Sequence, residues 1–160
     1  MLYLLEEDVN YKIVRDGDRI SSPWSGVTIE VLSPPQDLIY SGKKADVNEN
    51  SIVLKVTYGS VSYLLTGDAE EKAEEYILST KADIDADILK AGHHGSSSSS
   101  TKSFLAKVTP DVITISCGED NDYGHPHIEP LENFAKFTTA EKIFRTDIDG
   151  DIVVTTDGTE

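Results

Sequence analysis

The sequence predicts an α/β fold built on a mixed β-sheet with flanking helices. Two β-rich runs, "SIVLKVT" and "VSYLLT", flank Gly59-Ser60, a pairing suited to a hairpin with a type II′ turn. Directly after them, "AEEKAEEYIL" puts Ala69, Ala73, Tyr76 and Ile77 on one face at helical spacing. Further along, strand-like and helix-like runs alternate, with hairpins expected at both ends.

The elements follow in order. "YKIV", Tyr11 to Val14, reads as a strand. "GDRI" is a turn into a short extended piece. "GVTIEVLSPP" alternates apolar and polar residues and stops at Pro34-Pro35, as a strand running into a loop does. Asp37 to Asn50 is polar without a sustained period and reads as a loop. The hairpin spans Ser51–Thr57 and Val61–Thr66, and the helix Ala69–Leu78. "ADILKAG" is a strand, and Thr101–Val108 a short helix that Pro110 ends. "DVITISCG" is a buried-type strand. Pro130–Phe137 is a helix with proline at its first position. "EKIFRT" and "DIVVTTDG" close the chain as strands joined at Asp149-Gly150. No internal repeat is present, and the serine run is the one low-complexity piece.

The 160 residues suit one ordinary domain, and 38% hydrophobic with 27% charged residues fits a globular chain. No apolar run approaches the roughly 18–20 residues of a membrane span. "MLYLL" is too short for a signal-peptide core and lacks a basic start. The single cysteine, Cys117, excludes an internal disulfide and a cysteine-based zinc site. With 29 acidic and 14 basic residues the net charge is −15, the reverse of a nucleic-acid-binding stripe. Solubility accounts for such an excess; bound cations balancing part of it are the sharper alternative.

Chemistry gathers at three places where a metal-capable group follows a strand with glycine beside it: Asp68 after "SYLLTG", His93 and His94 after "DILKAG", and His125 in "GEDNDYGHPH" after "VITISC". Sites in α/β sheets collect at strand ends because the loops converge there. Each has a plainer reading. Asp68 stands three residues before Glu71, a capping-box spacing. His93 and His94 could hydrogen-bond a turn; in an extended chain they point to opposite faces, so one metal takes only one of them easily. His125 and His127 flank Pro126 in what could be a surface loop, with Asn121, Asp122 and Tyr123 placed to orient His125. Lys90, in the strand leading to the histidines, is either solvated or turned to a phosphate. "SSSSST" has the composition of a flexible linker, but the stronger reading is a segment that covers the site and supplies an N-cap for the next helix at Ser100 or Thr101. "DIDGD" departs from the calcium-loop pattern, its glycine two places early, and reads as a hairpin turn.

"NENSIVLKVTYGSVSYLLTGD", "ADILKAGHHGSSSSS", "FLAKVTPDVITISCG", "NDYGHPH" and "RTDIDGDIVVTTDG" resemble, in order, the second half of the metallo-β-lactamase-fold domain of ComEC-type DNA-uptake proteins. The resemblance runs from about Gly17 to Gly158. It implies the αββα sandwich, of which this chain would be the C-terminal half: a mixed sheet with flanking helices. It implies that Asp68 is the aspartate bridging two metals. One of His93 and His94, with His94 preferred, would be a metal ligand. His125 would be an auxiliary ligand or proton donor, and Lys90 would lie close to a substrate phosphate.

The family's principal cluster, H-x-H-x-D-H or H-x-D-x-D-H, occurs nowhere in the sequence. Residues 1–160 are therefore expected to form a single partial domain whose N-terminal half, with that cluster, is absent. Asn50-Ser51 stand where many members place a further histidine ligand. The resemblance implies a metal-dependent hydrolase, phosphodiesterase- or nuclease-like, with zinc or manganese in the complete domain and weak or no metal binding here. DNA or another phosphodiester would be a partner of the complete domain only. A full-length ComEC-type protein would be membrane-bound, although no span is visible here. The alternative is a catalytically silent remnant that associates with itself or with the absent half.

Overall fold

The computed structural model describes residues 11–159. Seven strands form one mixed sheet, taken in spatial order: β1 (Arg19–Ile20), β2 (Val27–Ser33), β5 (Val53–Tyr58), β6 (Val61–Leu65), β7 (Ile88–Lys90), β8 (Val112–Ile115) and β9 (Ile143–Arg145). β1 through β6 pair antiparallel; β6 through β9 pair parallel. The α/β class and mixed sheet expected from the sequence are both present.

The central hairpin forms as read. Tyr58 pairs with Val61 around Gly59-Ser60, and Gly59 takes a φ of 59°. Positive φ at the first turn residue alone is what a type II′ turn requires. The parallel strands are joined through helices: α1 (Glu71–Thr80) between β6 and β7, α2 (Lys102–Val108) between β7 and β8, and α3 (Ile128–Phe134) between β8 and β9.

These helices bury the core against one face of the sheet. Leu64, Leu89, Ile113 and Ile115 from the strands meet Ala73 and Ile77 of α1, Phe104, Leu105 and Val108 of α2, and Phe134 of α3. The opposite face carries Val56, Tyr58, Val61, Tyr63, Ile88, Lys90 and Thr114. They line a cavity of about 400 Å³ that Ile152, Val154 and Thr156 of the C-terminal segment partly close. Gly158 pins that segment to the hairpin turn, its carbonyl accepting from the Ser60 N–H (2.8 Å) and Oγ (3.1 Å).

Several elements differ from expectation. Tyr11–Val14 is not a strand. The backbone just after it bonds to β2 and the loop that follows β2, with Gly17 N–H on the Val31 carbonyl and Asp16 N–H on the Pro34 carbonyl. Within Asp37–Asn50 a small two-stranded ladder forms, β3 (Tyr40–Ser41) with β4 (Lys44–Ala45). α1 starts at Glu71, two residues late, and α3 starts at Ile128, which puts Pro130 at its third position. "DIVVTTDG" is not a strand. A short helix, α4 (Thr146–Asp149), takes the place of the Asp149-Gly150 turn, so no second strand is turned back beside β9. Among the described residues, no helix is long and apolar enough to cross a membrane.

Candidate functional site

The parallel strands end in register. β6 delivers Thr66-Gly67-Asp68, β7 delivers Ala91 to Gly95, and β8 delivers Ser116-Cys117 and the loop to His127. Short hydrogen bonds stitch these exits together: Thr66 Oγ1 to the Lys90 carbonyl (2.6 Å), His93 N–H to the Gly67 carbonyl (3.1 Å), and His127 N–H to the Gly95 carbonyl (2.9 Å).

The histidine pair sits in a single tight turn, Gly92–Gly95. His93 (φ 44°, ψ 48°) and His94 (φ 57°, ψ 24°) are both left-handed. Non-glycine residues there cost energy and persist only where the surroundings impose them. Gly95 is needed for close approach: a Cβ on it would stand 2.6 Å from Pro126 Cβ. That contact is where the His93-His94 turn meets the His125 loop.

The geometry gives the two histidines different partners. His94 places Nδ1 2.6 Å from the Ser116 carbonyl oxygen and Nε2 3.3 Å from Asp68 Oδ1. His93 places Nδ1 2.9 Å from Glu70 Oε1. The His125 ring lies 5.5 Å from that of His93 and 6.3 Å from that of His94, centre to centre. Asp68, His93, His94 and His125 thus gather at one end of the sheet.

His125 is held by its backbone. Asn121 Oδ1 accepts its N–H (3.0 Å), Asn121 Nδ2 donates to its carbonyl (2.7 Å), and the Tyr123 ring stacks on the imidazole. Its pKa is lowered, first by burial and then by His127, His93 and His94, with Asp68 opposing. His127 is occupied structurally, its Nδ1 accepting the Ser97 N–H (2.9 Å) while Nε2 lies 3.3 Å from the Tyr123 carbonyl. Lys90 Nζ donates to the Gly67 carbonyl (2.9 Å); burial lowers its pKa and Asp68 pulls it back up.

Asp68 does not cap α1. Its own N–H is taken by Ser51 Oγ (3.1 Å), and the first turn of α1 is capped from elsewhere. Glu49, buried at 4% exposure, accepts the Lys72 and Ala73 N–H groups (3.3 and 2.8 Å), leaving the Asp68 carboxylate available to His94. The serine run is fixed the same way. Buried Glu74 accepts the Ser100 N–H (2.5 Å), the Thr101 N–H (2.9 Å) and the Thr101 hydroxyl (2.7 Å). Thr101 in turn caps α2.

Sequence reasoning passed over Glu49, Glu70 and Glu74. In the sequence they look like ordinary acids in polar stretches. The one available signal was Glu74, which falls beside Ala73 on the face that must be buried. Among the described residues, no group of three or more His, Cys, Asp or Glu side chains is arranged to hold a metal ion. Asp68 and His94 present two donors side by side, the start of a donor set, while His93 is turned to Glu70.

No protein-family model matches the chain. It is 34% identical over 147 residues to ComE operon protein 3 of Bacillus subtilis, an alignment covering 92% of this chain and 18% of that protein. It is 38% identical over 117 residues to Recombination protein 2 of Haemophilus influenzae (73% and 14%), and 36% over 128 residues to Competence protein ComA of Neisseria gonorrhoeae (79% and 18%). The chain spans less than a fifth of the length of these curated relatives.

Proposed function

Because the chain is homologous to one segment of the ComEC-type competence proteins, we propose that it is the later part of a metallo-β-lactamase-type hydrolase domain that cleaves phosphodiester bonds in DNA. The supporting observation is the meeting of Asp68, His93, His94 and His125 at the exits of β6, β7 and β8. Four metal- or proton-binding side chains from three loops share one end of the sheet, with Lys90 at the end of β7 beside them. The names of the relatives, which speak of competence and recombination, agree with DNA as substrate.

Here a divalent ion, zinc or manganese, would supply a water acid enough to ionise near neutral pH. The chain's own part is narrower. Asp68 and His94 offer two donors. His125, its pKa lowered by burial and by the neighbouring histidines, stands ready to exchange a proton. Lys90 supplies positive charge where a phosphate would develop negative charge. A segment carrying H-x-H-x-D-H or H-x-D-x-D-H must supply the rest, so the 160 residues alone turn over at no more than a trace. The complete protein would be anchored in a membrane.

A second reading has its own observation. The sheet face opposite the helices is apolar and only partly covered, a surface suited to association with the complementary half or with a second copy. On that reading the chain folds and associates but does no chemistry.

The experiment is an assay against bis-p-nitrophenyl phosphate and linear DNA with zinc or manganese, with metal content measured alongside. Trace turnover by the isolated chain, and restored turnover with the cluster-bearing segment, are expected. Robust turnover by the chain alone, abolished by Asp68→Ala, would overturn the partial-site reading. No turnover by the completed protein would overturn the hydrolase reading.

A further inference from the structure

The two adjacent histidines are held by different chemistry. His94 gives Nδ1 to a backbone carbonyl and faces a carboxylate with Nε2. His93 does the reverse: its Nδ1 faces a carboxylate, Glu70, at 2.9 Å, and that carboxylate is itself fixed by Asn48, whose Nδ2 donates to the same Oε1 at 3.1 Å. Ser98 Oγ also approaches His93 Nδ1, at 3.5 Å, too far to compete with Glu70. The chain of contacts therefore runs Asn48 to Glu70 to His93. Both members of the pair are about three-quarters buried, at 24% and 23% side-chain exposure, so the contact is sheltered rather than a loose surface pair.

We propose that Glu70, steadied by Asn48, is a positioning residue that locks His93 in its Nδ1–H form, so that His93 presents an unprotonated Nε2 as the proton acceptor of the site, leaving metal binding to Asp68 and His94. A carboxylate accepts but cannot donate, so a neutral imidazole facing it must carry its proton on Nδ1. The only nitrogen left for chemistry is then Nε2. The backbone supports the division of labour. With both residues left-handed inside one turn, the two rings diverge, their centres 6.2 Å apart and their planes at 64°. His93 thus reaches the start of α1 while His94 reaches the end of β6. As proton acceptor, His93 would take a proton from an attacking water and Glu70 would stabilise the imidazolium, with no net redox change. This role rests on the hydrolase reading; the tautomer does not.

Two measurements separate them. In the 160-residue chain, long-range ¹⁵N–¹H correlation spectra, recorded at alkaline pH where histidines are neutral, should show His93 as Nδ1–H. In Glu70→Ala it should revert to the Nε2–H form that free imidazoles favour. His94 should stay Nδ1–H in both proteins because Ser116 holds it, and His127 should stay Nε2–H because Ser97 donates to its Nδ1, so these two report that the fold is intact. His93 in the Nε2–H form in the unmodified chain, or unmoved by Glu70→Ala, overturns the lock. In the chain joined to a cluster-bearing segment, Glu70→Ala should lower kcat about 10–100-fold with KM unchanged, and Glu70→Asp should recover part of the loss. A tautomer that shifts while kcat does not overturns the proton-acceptor role alone. No turnover by the chain so completed, with Glu70 unchanged, overturns the hydrolase reading and that role together, and leaves the tautomer result standing.

Discussion

His94 Nε2 lies 3.3 Å from Asp68 Oδ1, while its other ring nitrogen lies 2.6 Å from the Ser116 carbonyl oxygen. The carbonyl can only accept, so Nδ1 carries a proton. In a neutral His94 the lone pair of Nε2 then faces a carboxylate oxygen, two acceptors with nothing between them. A cation placed between them would satisfy both. Metal-bound histidines commonly show the same outer contact, a ring N–H given to a backbone carbonyl. Zinc binding by the isolated chain is expected to be weak, because two donors fall short of a full set, and to weaken further by at least ~10-fold in Asp68→Ala. Competition with a chromophoric chelator measures both. Unchanged affinity in Asp68→Ala would place any bound zinc elsewhere.

Glu74 makes stability depend on pH. Burial raises its pKa from 4.5 to about 7, the hydrogen bonds from Thr101 and Ser100 opposing and the nearby Glu49 charge adding to the rise. The protonated form is favoured in the folded chain more than in the unfolded one. Between pH 4.5 and about 7 the folded chain holds a proton that the unfolded chain has lost, so this contribution is full below pH 4.5 and fades as pH rises. The loss is about 3 kcal/mol across that window. Urea midpoints at pH 5 and pH 7.5 should show the fall, and Glu74→Gln should flatten it. An equal fall in both proteins would assign the effect to other groups.

Glu49→Ala removes the cap of α1 and leaves the Lys72 and Ala73 N–H groups without their acceptor. The expected cost is about 1–2 kcal/mol, the range for a lost helix cap. Chemical denaturation measures it. Because Glu49 caps α1 in place of Asp68, Asp68→Ala should cost far less stability than Glu49→Ala; the reverse order would restore Asp68 to a structural role.

Gly95→Ala tests the joint between the two histidine loops. The new Cβ would meet Pro126 Cβ at 2.6 Å, and φ is +78°, strained for any side chain. A loss of about 2 kcal/mol is expected. More tellingly, nuclear Overhauser contacts between the His93 and His125 rings, whose centres are 5.5 Å apart, should weaken or vanish. Their persistence would mean that Gly95 is not what brings the loops together.

The fold was most legible where local pattern and turn chemistry agreed. The Gly59-Ser60 hairpin, the strands at Ile88–Lys90 and Val112–Ile115, and the helix Lys102–Val108 all match the sequence reading because hydrophobic period and turn residues point the same way. The departures are places where tertiary contacts intervened. "DIVVTTDG" alternates like a strand, yet among the described residues it joins no ladder, and the short helix α4 stands where the turn back along β9 was expected. "AEEKAEEYIL" has the period of a helix, yet its start moved to Glu71 because Glu49, more than twenty residues earlier, supplies the cap.

The sequence by itself marked the candidates for chemistry: Asp68, His93, His94 and Lys90 at strand ends and His125 in the loop after β8, the places where α/β loops meet. It could not determine which partners each histidine meets. That choice belongs to the tertiary structure, since adjacent imidazoles differ only in what lies beside their ring nitrogens. Glu70, steadied by Asn48, takes Nδ1 of one; the Ser116 carbonyl takes Nδ1 of the other and leaves its Nε2 to Asp68. These partners come from separate elements and meet only after β6, β7 and β8 pair, so no local pattern encodes them.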